Sequence, residues 1–155
     1  MRDFPSLPVV IIQLALAALA GVGTALQPGV NSRFADAAGH RVHGGVINFA
    51  IGLVTMLLVW TVTRIEAPAA GRLAQGPWWM WFGGVLGAFF VTTAVFLVPR
   101  MGTASYVAAM VAGQLIASLA IDHFGLVGMK PSPLTFGRAL GAILIFGGML
   151  CIRFL

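Results

Sequence analysis

Five apolar stretches alternate along this chain with short links where the charges and most of the prolines gather. The first is uncharged from Phe4 to Ser32 and exceeds the roughly 20 helical residues that a bilayer requires. The others are bounded by Val42 and Arg64, by a Trp-rich start at Pro77 and Val98, by Gly102 and Asp122, and by Leu134 and Phe154. The pattern predicts spans at 5–32, 42–64, 77–98, 102–122 and 134–154. Together they form an all-α, polytopic membrane protein, with residues 1–155 as one five-helix domain. The last span is the shortest: Ala139 to Ile152 alone gives about 21 Å of helix, so Arg138 and Arg153 are expected to snorkel toward the headgroups. Arg2 and Ala18-Leu19-Ala20 have the look of a signal peptide, but Asp3 cancels the charge and the apolar run is too long, so the helix is read as uncleaved.

The polar positions inside these spans carry the functional reading, because an unpaired polar group in hydrocarbon is costly and has to face protein, water or a ligand. Gln114, Ser118 and Asp122 stand four residues apart on the fourth helix and form one stripe, which extends back through Met110 to Tyr106. At the end of the first helix, Gln27 and Asn31 share a face beside Pro28 and Gly29. Two readings stay open there: a kink or unwinding within the helix, or a helix that ends near Gln27 and enters a loop. On the second helix Gly44, Asn48 and Gly52 make a small face with an amide at its centre, suited to close packing or to a substrate contact. Gly83 and Gly87 in the third helix, and Gly137, Gly141 and the Gly147-Gly148 pair in the fifth, are read as packing positions.

The links read more simply. Arg33 to Arg41 is taken as a connection, Ala67 to Gly76 as a Pro- and Gly-containing loop, and Pro99 to Gly102 as a tight hairpin that makes the third and fourth helices antiparallel neighbours. Trp78, Trp79 and Trp81 form an aromatic belt at the boundary. Asp122 has two candidate roles, pairing with a Lys or Arg at the interface and proton coupling. Imidazole exchanges protons near neutral pH, which makes His123 a candidate partner in a relay.

Composition excludes a soluble protein: 59% of the residues are hydrophobic and 8% charged, against about 25% charged in soluble domains. The nine Lys and Arg and four Asp and Glu are spread along the chain, so they read as topology and headgroup anchors and not as a nucleic-acid surface. Cys151 is single, and no metal-ligand spacing, phosphate loop or nucleophile triad occurs, so neither a metal, a cofactor nor an enzyme activity is expected.

Five spans place the termini on opposite sides. Arg2, Arg64, Arg72, Lys130 and Arg138 then face one side, and Arg33, Arg41, Arg100 and Arg153 the other. Five against four is almost no bias, whereas an orientation set by charge needs an excess on the cytoplasmic side. An antiparallel homodimer, which would generate the inverted pair of a transporter from one sequence, is therefore preferred to an accidental balance with orientation set by a partner chain.

The segments QPGVN (Gln27 to Asn31), NFAIG (Asn48 to Gly52), GAFFV (Gly87 to Val91), PRMG (Pro99 to Gly102) and GQLIASLAIDHFG (Gly113 to Gly125) resemble, in order and spacing, the YdcZ-type proteins. These are small bacterial inner-membrane members of the drug/metabolite transporter superfamily. The resemblance implies a protomer like one half of a ten-helix transporter, working as a homodimer or with an inverted sister chain, and export of small molecules. The small multidrug resistance relatives carry a membrane-embedded Glu in the first helix that exchanges protons for cationic drugs. This chain offers only Gln13, Thr24 and Gln27 there, which argues against proton-coupled export of lipophilic cations.

The expectation is an alternating-access transporter in the bilayer for a small polar or weakly charged molecule. Gln27, Asn31, Asn48, Gln114 and Ser118 supply neutral hydrogen bonds, Tyr106 and Phe90 aromatic walls, and Asp122 with His123 the coupling site. A passive channel of dual topology and a non-transporting partner subunit are the alternatives.

Overall fold

A computed structural model describes residues 6–69, 71 and 74–155. The charges at Arg2, Asp3 and Arg72 and the start of the uncharged run at Phe4 lie outside these residues. Among the described residues, five helices are long and apolar enough to cross a membrane, and large apolar side chains are exposed along all of them, among them Leu14, Leu58, Phe89, Ile116 and Ile143. Such a surface suits lipid, because outward-facing leucine and phenylalanine have nothing to gain from burial when the solvent is itself hydrocarbon.

Helix α1 runs from Leu7 to Ala37. Pro8 stands in its first turn, where a missing N–H has no helical partner to lose. The helix continues through Pro28 and across Arg33, so the reading that ends it near Gln27 and makes 33–41 a connection is corrected. Alanines at 35 and 37 favour helix, and the break comes only where Gly39 adopts φ +76°. At 31 residues α1 is about 46 Å long against roughly 30 Å of hydrocarbon, which leaves length for Arg33 and Asp36 to reach the headgroups.

Helix α2, Arg41–Thr63, starts at His40, whose Nδ1 accepts the Val42 N–H at 3.3 Å, and ends at Arg64 with φ 52°. Trp60 Nε1 donates to the Ile65 carbonyl at 2.6 Å and ties down that exit. A 3-10 turn, Trp78–Trp81, leads into α3, Phe82–Met101. Pro99 lies inside α3, so the hairpin expected at 99–102 shrinks to Gly102, with φ 82° and ψ 154°, before α4 begins at Thr103. Only glycine occupies that backbone region without cost.

Helix α4, Thr103–Phe124, ends at Gly125 in the left-handed conformation, and α5, Phe136–Phe154, starts at Thr135, whose Oγ1 accepts the Arg138 N–H. The fifth span therefore begins two residues later than the expected Leu134.

The chain packs as two compact units, 1–99 and 100–155. In the first, Ala35, Val91 and Val95 form the buried centre, with Phe90 packed against it. Gly44 lets α2 cross α1 closely: a Cβ there would collide with the Asn31 carbonyl oxygen and sit 3.1 Å from the Ala35 Cβ. Gly45 faces Val91, and Gly87 lies against the Phe49 ring. Gly52, expected on the packing face with Gly44, meets nothing, and neither do Gly83, Gly137, Gly141, Gly147 and Gly148. In the second unit, α4 packs against α5.

Candidate functional site

Hydroxyls in a membrane helix can bond a carbonyl of their own preceding turn, and most of those in this chain do so. Thr24 bonds Gly21, Thr55 bonds Ile51, Thr61 bonds Leu58, Thr63 bonds Val59, and Ser118 bonds Leu115, at 2.7–2.9 Å. Amides have no such local solution, so they mark where the helices need a partner.

The first unit joins two of the expected amides. Gln27 of α1 and Asn48 of α2 line one groove of about 580 Å³ with Phe49, Gly52 and Met56. The groove exists because α1 and α2 cross closely at Gly44, one turn away from Asn48, and diverge toward Gly52. Its walls are apolar apart from the two amides, so it offers a few fixed hydrogen-bonding groups within an otherwise apolar surface. Asn31 is placed differently. It is 2% exposed beneath the α1–α2 crossing, and its Oδ1, like the neighbouring Ser32 Oγ, is buried without a hydrogen-bond partner among the described residues. Phe90 is half-buried against the Ala35, Val91 and Val95 centre and serves as packing there.

Arg41 was expected only as a topology charge, yet it is a structural donor. Its Nη1 lies 3.3 Å from the carbonyl oxygens of Val95 and Phe96, and its guanidinium lies over the Phe96 ring at 5.6 Å. The Val95 carbonyl is the one whose helical donor would be residue 99, and Pro99 has no N–H. The interaction joins residues 54 positions apart, so no local signal announces it.

In the second unit the α4 stripe divides. Tyr106 is buried and Met110 half-buried, while Gln114 and Ser118 are exposed on the surface. Asp122 pairs with Arg138 of α5, with the two side chains 37% and 34% exposed. Arg138 Nη1 also donates to the Ser132 carbonyl and hydroxyl, each at 3.2 Å, and the Ser132 N–H donates to the Asp122 carbonyl at 2.7 Å. His123 Nδ1 accepts the Leu134 N–H at 3.2 Å, which fixes its proton on Nε2 when the ring is neutral. Arg138, expected to snorkel, instead closes the α4–α5 hairpin. Of the two roles left open for Asp122, ion pairing has a named partner. Among the described residues no group of three metal-ligating side chains occurs.

Comparison with known proteins gives a consistent picture. Residues 12–151 match the family described as "Putative inner membrane exporter, YdcZ". The "Inner membrane protein YdcZ" of Escherichia coli (strain K12) is 28% identical over 137 residues, covering 88% of this chain and 91% of the relative. No solved structure matches the chain.

Proposed function

This chain belongs to the YdcZ family of multi-pass inner membrane proteins, and on that premise we propose that it exports a small polar or weakly charged molecule by alternating access, as an antiparallel homodimer or with an inverted sister chain. The observation that carries the reading is the groove in which Gln27 and Asn48 converge. Two amides from different helices, half-buried on an otherwise apolar wall, gain most by facing a cavity shared with a second protomer. The exposed Gln114 of α4 and the open glycine face of α5 support the same assembly, since an amide facing lipid is costly and unfilled glycines permit close approach.

Asp122 and His123 enter this reading as the joint between α4 and α5. A proton on the Asp122 carboxyl would remove the charge that holds Arg138, so any coupling at this position acts through the hairpin.

The test is export from cells making the wild-type chain or the Gln27→Ala, Asn48→Ala double variant, with small polar metabolites in the medium quantified by mass spectrometry. A metabolite whose release rises with the wild-type chain, saturates with its internal concentration and falls to background with the double variant supports the proposal. Release that rises linearly without saturation would indicate a pore, because alternating access requires slow global motions. Equal release from both chains would remove Gln27 and Asn48 from the path.

A further inference from the structure

Beside the turn that joins α1 to α2 is a second cavity, of about 310 Å³, lined by Ser32, Ala35 and Asp36 of α1, Arg41 of α2, and Val95 and Val98 of α3. Ser32 and Asp36 are four residues apart and so lie on one helical face. Val95 and Val98 likewise share a face of α3. The volume is at the lower end of the range for ligand pockets.

The chemistry of the lining is unusual for a helix end. Asp36 and Arg41 bring opposite charges to the same cavity, yet they form no ion pair, while elsewhere among the described residues Asp122 and Arg138 do. Arg41 commits Nη1 to the Val95 and Phe96 carbonyls, and its Nε and Nη2 bond no other group among the described residues. Ser32 Oγ, in the same lining, is buried without a hydrogen-bond partner among the described residues. Buried polar atoms are nearly always satisfied, so the orphaned Ser32 hydroxyl in the lining calls for a group that the protomer does not supply.

We propose that this cavity binds a small zwitterion, its carboxylate on Arg41, its ammonium on Asp36 and the Ser32 hydroxyl, and its side chain against Ala35, Val95 and Val98. A simple anion drawn to Arg41 would face Asp36, and a simple cation drawn to Asp36 would face Arg41. A ligand carrying both charges satisfies both, and the two repulsions reject its singly charged analogues. The inference deepens the exporter reading by naming a substrate class, and its physiological meaning rests on that reading.

The test is calorimetric titration of the purified protein in lipid nanodiscs with L-alanine, propionate and ethylamine, which share a short apolar part and differ in charge. L-alanine is expected to bind at least about ten-fold more tightly than either analogue, in line with the loss of one charge-assisted hydrogen bond. Asp36→Asn is expected to weaken L-alanine about ten-fold while leaving propionate unchanged or improved, and Ser32→Ala to weaken L-alanine several-fold. Equal affinity for all three probes, no measurable L-alanine binding, or an Asp36→Asn variant that weakens propionate as much as L-alanine would overturn the proposal. Flux measured in the same lipids separates the two readings. L-alanine binding without transport of any metabolite retires the exporter and leaves the site, whereas saturable export of another metabolite without L-alanine binding retires the site and leaves the exporter.

Discussion

Arg41 donates to the Val95 carbonyl, which Pro99 leaves without its helical donor. One side chain thereby repairs the ladder of another helix and holds the start of α2 against the end of α3. Arg41→Ala is expected to lower stability by about 1–2 kcal/mol, the cost of an unsatisfied carbonyl with its donor removed. Pro99→Ala supplies the missing N–H, so Arg41→Ala should cost less in that background. Thermal unfolding of the purified protein in detergent, run as a double-mutant cycle, measures the difference; additive effects would show that the two residues act independently.

Gly44 is the residue that lets α1 and α2 touch. Gly44→Ala forces a methyl group into the Asn31 carbonyl and the Ala35 side chain, for an expected loss of about 1–3 kcal/mol. Gly52→Ala, where a methyl meets nothing, is expected to stay within about 0.5 kcal/mol of wild type. The same unfolding assay compares them, and equal losses would show that the crossing lies elsewhere.

Gly125 closes α4 with φ +63°, and a Cβ there would lie 2.7 Å from Pro131 Cγ. Both the backbone and the space oppose a side chain, so Gly125→Ala is expected to cost more than about 1 kcal/mol. Gly113→Ala in the same helix, with open space around it, is its control and should be neutral or stabilising.

The Asp122–Arg138 pair is partly exposed, so it contributes at most about 1 kcal/mol. Its transport phenotype tells more than its stability. Asp122→Asn and Arg138→Gln are each expected to reduce export. If the pair serves only to close the hairpin, the exchanged pair Asp122→Arg with Arg138→Asp restores it; if the carboxyl at 122 itself carries protons, the exchange does not.

Orientation is checked by replacing Cys151 with Ser, placing one cysteine at Ala67 and labelling native membranes from each side with an impermeant reagent. Labelling from both sides is the outcome expected for an antiparallel homodimer. Labelling from one side only would turn attention to an inverted sister chain.

The spans were legible in the sequence because hydrocarbon tolerates so few alternatives to a helix. Their ends were less so, at the close of α1 and of α3. Pro99 reads as the start of a tight hairpin, yet it lies inside α3, while Pro28, where a helix end is one of two open readings, lies inside α1. A proline removes one hydrogen bond, and at Pro99 the freed carbonyl finds Arg41, a partner that only the fold brings near. That Gln27 and Asn48 need a partner within the membrane followed from the cost of amides in lipid; that they line one groove did not. The small face of α2 was legible as a packing surface, but its working positions are Gly44 and Gly45, not Gly52. Asp36 and Arg41 read as loop and topology residues because the first span is expected to end at Ser32, whereas α1 continues to Ala37.

The back-bonded hydroxyls of Thr24, Thr55, Thr61 and Thr63 turn their polarity inward, so a molecule approaching from the bilayer meets mainly methyl groups. The outer wall is consequently less polar than its residue names imply. Its vocabulary for telling a solute from a lipid tail shrinks to a handful of amides and charges. Changing a threonine to valine should alter little in what this protein selects, whereas changing a single amide rewrites much of what it can recognise.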